Sequence, residues 1–204
     1  MKRLLLIFSL AFATALWFSC EKDPDSSSDN GSDVEDGVNH EETSDYTWDP
    51  SSEITITLNG SSITTSSSLV TINGSTATIT AAGNYNISGS LSDGRLIVDA
   101  GNNDLVRLIL NSATISNSLG PAILIEKSQK TIINLAEGTQ NTLSDGVTYA
   151  NPADDPNAAI FSKSDLTIFG AGSLTVDGKY KDGITSKDGL LLKSGTIIST
   201  AIDD

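Results

Sequence analysis

Three aspartates, Asp177, Asp182 and Asp188, stand beside Gly178, Gly183 and Gly189 in one short stretch. Tight turns that aim carboxylates together suit Ca²⁺, which takes about six to eight oxygen ligands in loose geometry. Asp-Gly is also a common turn dipeptide, so each pair equally fits a plain turn. The EF-hand spacing and its closing Glu are missing. From Ile54 onward there is neither Cys nor His. That removes Ser-His-Asp triads, Cys-His dyads, haem ligation and the usual zinc sets. Chemistry is left to carboxylates, hydroxyls, amides and a few bases. A lyase would need a Lys or Arg as base, and Arg95, Arg107, Lys179, Lys181 and Lys187 are available. An inverting hydrolase would need two carboxylates about 6.5–9.5 Å apart. No run of residues matches a lyase catalytic motif, so binding without turnover is the favoured class. For a sugar ring, Tyr149 and Tyr180 are the stacking candidates, with Lys181, Asp154 and Asp155 as polar partners. The region after Ile54 has no Trp, and Phe161 and Phe169 sit in apolar strand patterns that read as core.

The elements that must position these residues begin late in the chain. Met1-Lys2-Arg3, the uncharged run Leu4 to Phe18 and Cys20 read as a lipoprotein signal peptide over residues 1–19, with Cys20 as the acylated residue. Ser19-Cys20 resembles the end of a bacterial lipobox, with Trp17 where Leu is usual. Two or three acyl chains give stable anchoring. The acidic residues after Cys20 resemble the tags of surface-exposed lipoproteins of Bacteroidota, which implies an outer-membrane lipoprotein facing outward. Residues 20–53 carry twelve Asp and Glu against Lys22 alone and little to bury. They read as a disordered acidic tether, with Trp48 placed to staple the start of the domain. The whole chain has a formal net charge of −14, and no basic stripe exists for nucleic acid.

Residues 54–204 form the domain. Ile54 to Leu58, Leu69 to Ile72 and Ala77 to Thr80 are β-branched runs closed by turn residues, the pattern of short strands. Similar runs recur every 22 to 24 residues, with one excess of about 13 between Ser144 and Asn157. That period suits an all-β, right-handed parallel β-helix with three strands per coil. A β-sandwich is the rival architecture. Leu108, Ile132, Ile168 and Leu192 are expected to stack, and Asn111 and Asn134 fit either an amide ladder or turn positions with positive φ. Asp204 would lie one coil beyond Asp182, at about the 4.8 Å strand spacing. The excess should bulge from one corner as a loop.

The ordered succession Leu108 to Ile115, Gly120 to Ile123, Leu135 to Thr139, Asn141 to Gly146, Ala159 to Lys163, Asp165 to Ile168, Gly172 to Val176, Tyr180 to Ile184 and Ser186 to Gly189 resembles the bacterial carbohydrate-binding domain-containing proteins. These are secreted β-helix proteins similar in fold to pectate lyases. The resemblance implies polysaccharide as partner, with calcium and an acidic plant polysaccharide as the setting. It also implies further coils after Asp204, so that the helix is incomplete at its C-terminus. A β-helix lyase or hydrolase, or a structural surface protein or adhesin, are the alternatives.

Overall fold

The computed structural model describes residues 40–150 and 155–203. The expectations for the signal peptide, Cys20, Asp154 and Asp204 lie outside these residues. The described chain is all-β. Its strands are β1 (Glu53–Gly60), β2 (Ile63–Thr65), β3 (Val70–Asn73), β4 (Thr76–Ile79), β5 (Gly83–Leu91), β6 (Arg95–Asp99), β7 (Leu105–Ser116) and β8 (Ile123–Lys127). They continue with β9 (Lys130–Leu135), β10 (Gln140–Ser144), β11 (Ala158–Ser162), β12 (Asp165–Gly170), β13 (Ser173–Asp177), β14 (Asp182–Ser186), β15 (Leu190–Leu192) and β16 (Thr196–Thr200).

The strands form two mixed sheets rather than purely parallel ones. β1 pairs with β2 and β3 with β4 as antiparallel hairpins. Every other pairing is parallel, between strands about one repeat apart, as in β6–β8 and β13–β16. The smaller sheet runs β14-β11-β8-β6-β4-β3. The larger one turns a corner within β5 and β7. The first part of β7 pairs with β9 and its second part with β10. Two special residues make that corner. Gly89 has φ +95, and a Cβ there would lie 2.3 Å from the Leu58 carbonyl oxygen. Ser112, with φ 60, carries β7 round the same corner.

Alternation at period two sends one side chain of each pair inward. Leu96, Ile123, Ile160 and Ile184 are in register across the smaller sheet. Leu108, Ile133, Ile168 and Leu192 are in register across the larger. The expected stack is therefore right at Leu108, Ile168 and Leu192 and one residue off at Ile132. Ile132 pairs with Arg107 and Thr167 on the outer face, yet it is fully buried. Nor do Asn111 and Asn134 form a ladder: Asn134 pairs with Ile109 and Phe169, and Asn111 reaches Asn86 at 3.4 Å. The corner asparagine that does stitch neighbouring strands is Asn141. Its Oδ1 accepts the Ala113 N–H at 2.9 Å and its Nδ2 donates to the Ser173 carbonyl at 3.1 Å.

Most strands bury one face, as in the alternating exposure of β4 and β13. β9 and β11 bury every residue, so something covers their outer faces.

Candidate functional site

Residues 40–53 lie against the outer face of β9 and β12. Part of the stretch expected as a tether is thus a strap on the domain, and the disordered reading fails from His40 onward for a physical reason. Two of its acids pair with lysines of the domain, Asp45 with Lys130 and Glu41 with Lys193. In the short 3₁₀ turn Thr43–Tyr46, the Glu42 N–H donates to Asp45 Oδ2 at 2.9 Å. Asp45 is fully buried, and the same oxygen takes Lys130 Nζ at 2.9 Å. Lys130 Nζ also donates to the His40 carbonyl at 2.6 Å. Arg107 donates to the Asp45 carbonyl at 3.0 Å and to Asn84. Burial pulls the Arg107 guanidinium below its usual pKa, with Asp45 opposing that shift. Ile132 and Thr167 are sealed beneath.

The strap also carries an aromatic wall. Tyr46 meets Phe169 edge-on with centroids 4.9 Å apart, and Trp48 does so at 6.4 Å. The Arg107 guanidinium lies 5.0 Å from the Trp48 ring centre. Phe169, expected as core, is thus a half-buried outer-face residue. Trp48 Nε1 donates to Glu53 Oε1 at 2.8 Å, and Asn86 Nδ2 to Glu53 Oε2 at 2.7 Å. Tyr46 donates to Glu41 at 2.7 Å, and desolvation followed by that carboxylate pushes its phenol well above the ordinary range. Around these groups opens a cleft of about 450 Å³, lined by Tyr46, Trp48, Phe169, Glu53, Asn86 and Glu137, with Asn134 at its floor. Ring edges and faces beside amides and carboxylates suit a polyhydroxylated ring with one apolar face.

The described residues of the insertion between β10 and β11, 145–150 and 155–157, lie over the second outer face, that of β8 and β11. It does not present Tyr149 to solvent. Tyr149 is buried and stacks on Tyr180 with centroids 4.2 Å apart. Its hydroxyl lies 2.8 Å from Asp145 Oδ2 and 2.9 Å from the Ala158 carbonyl. A hydroxyl has one proton to donate, and both neighbours are acceptors when Asp145 is ionised. The Tyr149 hydroxyl proton is shared between the Asp145 carboxylate and the Ala158 carbonyl. Desolvation raises the Asp145 pKa, against the hydrogen bonds from the Lys179 N–H and the Tyr149 hydroxyl. Tyr149 is therefore a structural pillar. Tyr180 is half-buried, with Lys181 Nζ 5.6 Å from its ring centre. Asp155 pairs with Lys187 at 2.8 Å. Beside the insertion, Arg95, Leu119 and Ala150 border two adjoining grooves of about 270 and 310 Å³.

The aspartates singled out for calcium are held apart by different partners. Asp177 faces Lys179 at 3.5 Å and accepts from Thr200 at 3.0 Å. Asp182 accepts from Asn157 and from Thr185. Asp188 joins His40 and Asp165, the one group of three metal-capable residues among the described residues. Sequence reasoning left His40 and Tyr46 out of the domain's inventory and gave Trp48 only the role of a staple. The signal available was Tyr46 and Trp48 themselves, two large rings in a polar tract, with Glu42 and Asp45 spaced to cap a turn.

Comparison with known proteins agrees with the resemblance drawn from the motifs. A protein described as a carbohydrate-binding domain-containing protein, from Acetivibrio thermocellus, is 38% identical over 122 residues, covering 58% of this chain and 43% of its own length. A solved structure described as the polysaccharide lyase-like protein from C. thermocellum, a gadolinium derivative, superposes with a TM-score of 0.71 at 30% identity. That match covers 73% of this chain and 62% of the other. The chain thus spans less than two thirds of the relatives it matches. The profile of the carbohydrate-binding domain-containing proteins fits residues 73–204, and the chain belongs to that family.

Proposed function

We propose that this protein binds polysaccharide in the cleft between the strap and β12, without cleaving it. The observation that carries the reading is the convergence of Tyr46, Trp48 and Phe169 with the Glu53–Asn86 pair around one opening. A pyranose presents C–H groups on one face and hydroxyls at its rim, and the cleft offers rings and hydrogen-bonding groups in matching places. Its charged groups are carboxylates, which favours neutral glycans there. The supporting framework is read as a right-handed parallel β-helix, whose rungs hold Asn86, Asn134 and Phe169 in fixed relation. Acylation at Cys20 would place the site at the outer-membrane surface; fatty-acid labelling, lost in Cys20→Ala, tests that placement.

A second reading has its own observation. Arg95 lines both grooves beside the insertion, and a guanidinium there suits a carboxylated sugar. This is the route by which an acidic plant polysaccharide would bind an acidic protein. Calcium bridging through Asp182 is the other route. Affinity electrophoresis against neutral glucans and polygalacturonate separates them. Trp48→Ala should lower affinity for neutral glucan at least tenfold and leave polygalacturonate unchanged. Arg95→Ala should do the reverse, and a chelator reports on calcium. Binding untouched by Trp48→Ala with every glycan would overturn the cleft as the site. Release of unsaturated or reducing sugars would make the protein an enzyme.

A further inference from the structure

We infer that His40, Asp165 and Asp188 form a binding site for a divalent transition-metal ion of the Zn²⁺ class, which latches the strap to the sheet. The three residues come from distant points of the sequence: the beginning of the strap, the first position of β12 and the turn before β15. One ligand atom from each lies within 4.8 Å of the others. His40 Nδ1 and Asp165 Oδ1 are 2.8 Å apart. Ligand atoms bound to one Zn²⁺ at about 2.0–2.2 Å lie roughly 3–3.5 Å apart, so a small opening of this pair accommodates the ion.

The turn at Asp188-Gly189 is shaped around the two donors. A Cβ on Gly189 would sit 2.6 Å from His40 Cγ and Nδ1 and 2.8 Å from Asp165 Oδ1. Glycine alone lets that backbone press against both groups. The Gly189 N–H donates to Asp165 Oδ1 at 2.9 Å. Such outer hydrogen bonds fix the orientation of a ligating carboxylate. The Lys130 ammonium, bound to the His40 carbonyl, fixes the histidine backbone in the same way. Side-chain exposures of 24% for His40 and 19% for Asp165 leave the donors reachable from solvent. One imidazole nitrogen with two carboxylates suits Zn²⁺ and its neighbours, whereas Ca²⁺ prefers oxygen throughout. Three protein ligands leave further positions for water.

The site differs from the glycan cleft in its residues, so it is tested without sugar. Isothermal titration of the whole chain with ZnCl₂ should show one saturable ion per chain, with a rise in melting temperature. His40→Ala and Asp165→Asn should remove that saturable phase, and Gly189→Ala should weaken it at least tenfold. Equal Zn²⁺ binding by wild type and His40→Ala would place the ion elsewhere and overturn the assignment, as would no saturable binding by wild type. Should His40→Ala disturb the strap, Co²⁺ bound to the wild-type protein decides. Visible d–d bands with imidazole-shifted resonances support the site; the spectrum of the aquo ion overturns it.

Discussion

Two outer faces of this protein are covered, and they are covered by opposite means. Over β9 and β12 the cover comes from the N-terminal side, residues 40–53, and is fastened by charge: Asp45 on Lys130, with Arg107 donating to strap carbonyls. Over β8 and β11 the cover comes from residues 145–150 and 155–157 of the local insertion, and beneath it Leu124, Ala158 and Phe161 form a small apolar cluster of their own. Tyr149 and Asp145 fasten it with a short hydrogen-bond chain. The difference teaches how a strand with two buried faces arises in an all-β chain. A local loop needs a short closure and can rely on apolar burial. A strap closing over a span of 90 residues, as from His40 to Lys130, is specified by directional and charged contacts.

The comparison can be broken from either side. The largest effect is expected beneath the insertion: Phe161→Ala should cost about 3–5 kcal/mol in denaturant unfolding, as a fully buried aromatic replaced by a void. A cost below about 1 kcal/mol would mean that the loop collapses to fill the site. Under the strap, Asp45→Ala leaves Lys130 without its anion and should cost about 3 kcal/mol. Asp45→Ala combined with Lys130→Met should recover much of that loss, because the uncompensated charge goes with it. If the double variant is no better than the single one, the strap is held by packing and not by the ion pair.

A smaller effect concerns the fastening of the insertion. Tyr149→Phe removes the hydroxyl that links Asp145 to Ala158 and should cost about 1 kcal/mol. Asp145 sharpens the point through pH. Its folded pKa is raised, so its contribution is present below the unfolded value and is lost as pH rises through the folded one. Asp145→Asn mimics the protonated form. Wild type should therefore lose stability relative to Asp145→Asn on going from acid to neutral pH. Parallel stability curves for the two proteins would mean that folding leaves the Asp145 pKa at its unfolded value.

Much of this arrangement was legible in the residues. Alternating β-branched runs gave strands, their period gave rungs about one repeat apart, and the excess at Ser144 to Asn157 marked the insertion. Two things were not legible, each for a reason. The rung at Ile132 slipped by one because Ile132 and Ile133 are both apolar, and a one-residue slip exchanges the two faces of a strand. The usual guide, a polar residue outside, failed because the strap buries that outside face. The strap itself was hidden because acidic composition predicts solvation, and composition cannot reveal that Lys130 and Arg107 wait on the sheet to receive it. The same blindness removed Trp48 from the inventory of rings that could meet a sugar. Tyr149 misled in the opposite direction: a tyrosine in a polar loop reads as a platform, and here it is the post on which the loop stands.

The strap also decides where mechanical load enters the domain. Force arriving along the chain ahead of His40 does not begin by peeling β1 from β5. It meets His40 on Asp165 and Asp45 on Lys130 first, contacts that belong to strands far along the sequence. Tension is thereby shared with β9 and β12 before any rung at the start of the domain is pulled. Pulled from its N-terminal side, the domain yields first at this clasp, before any paired strand at its start is separated.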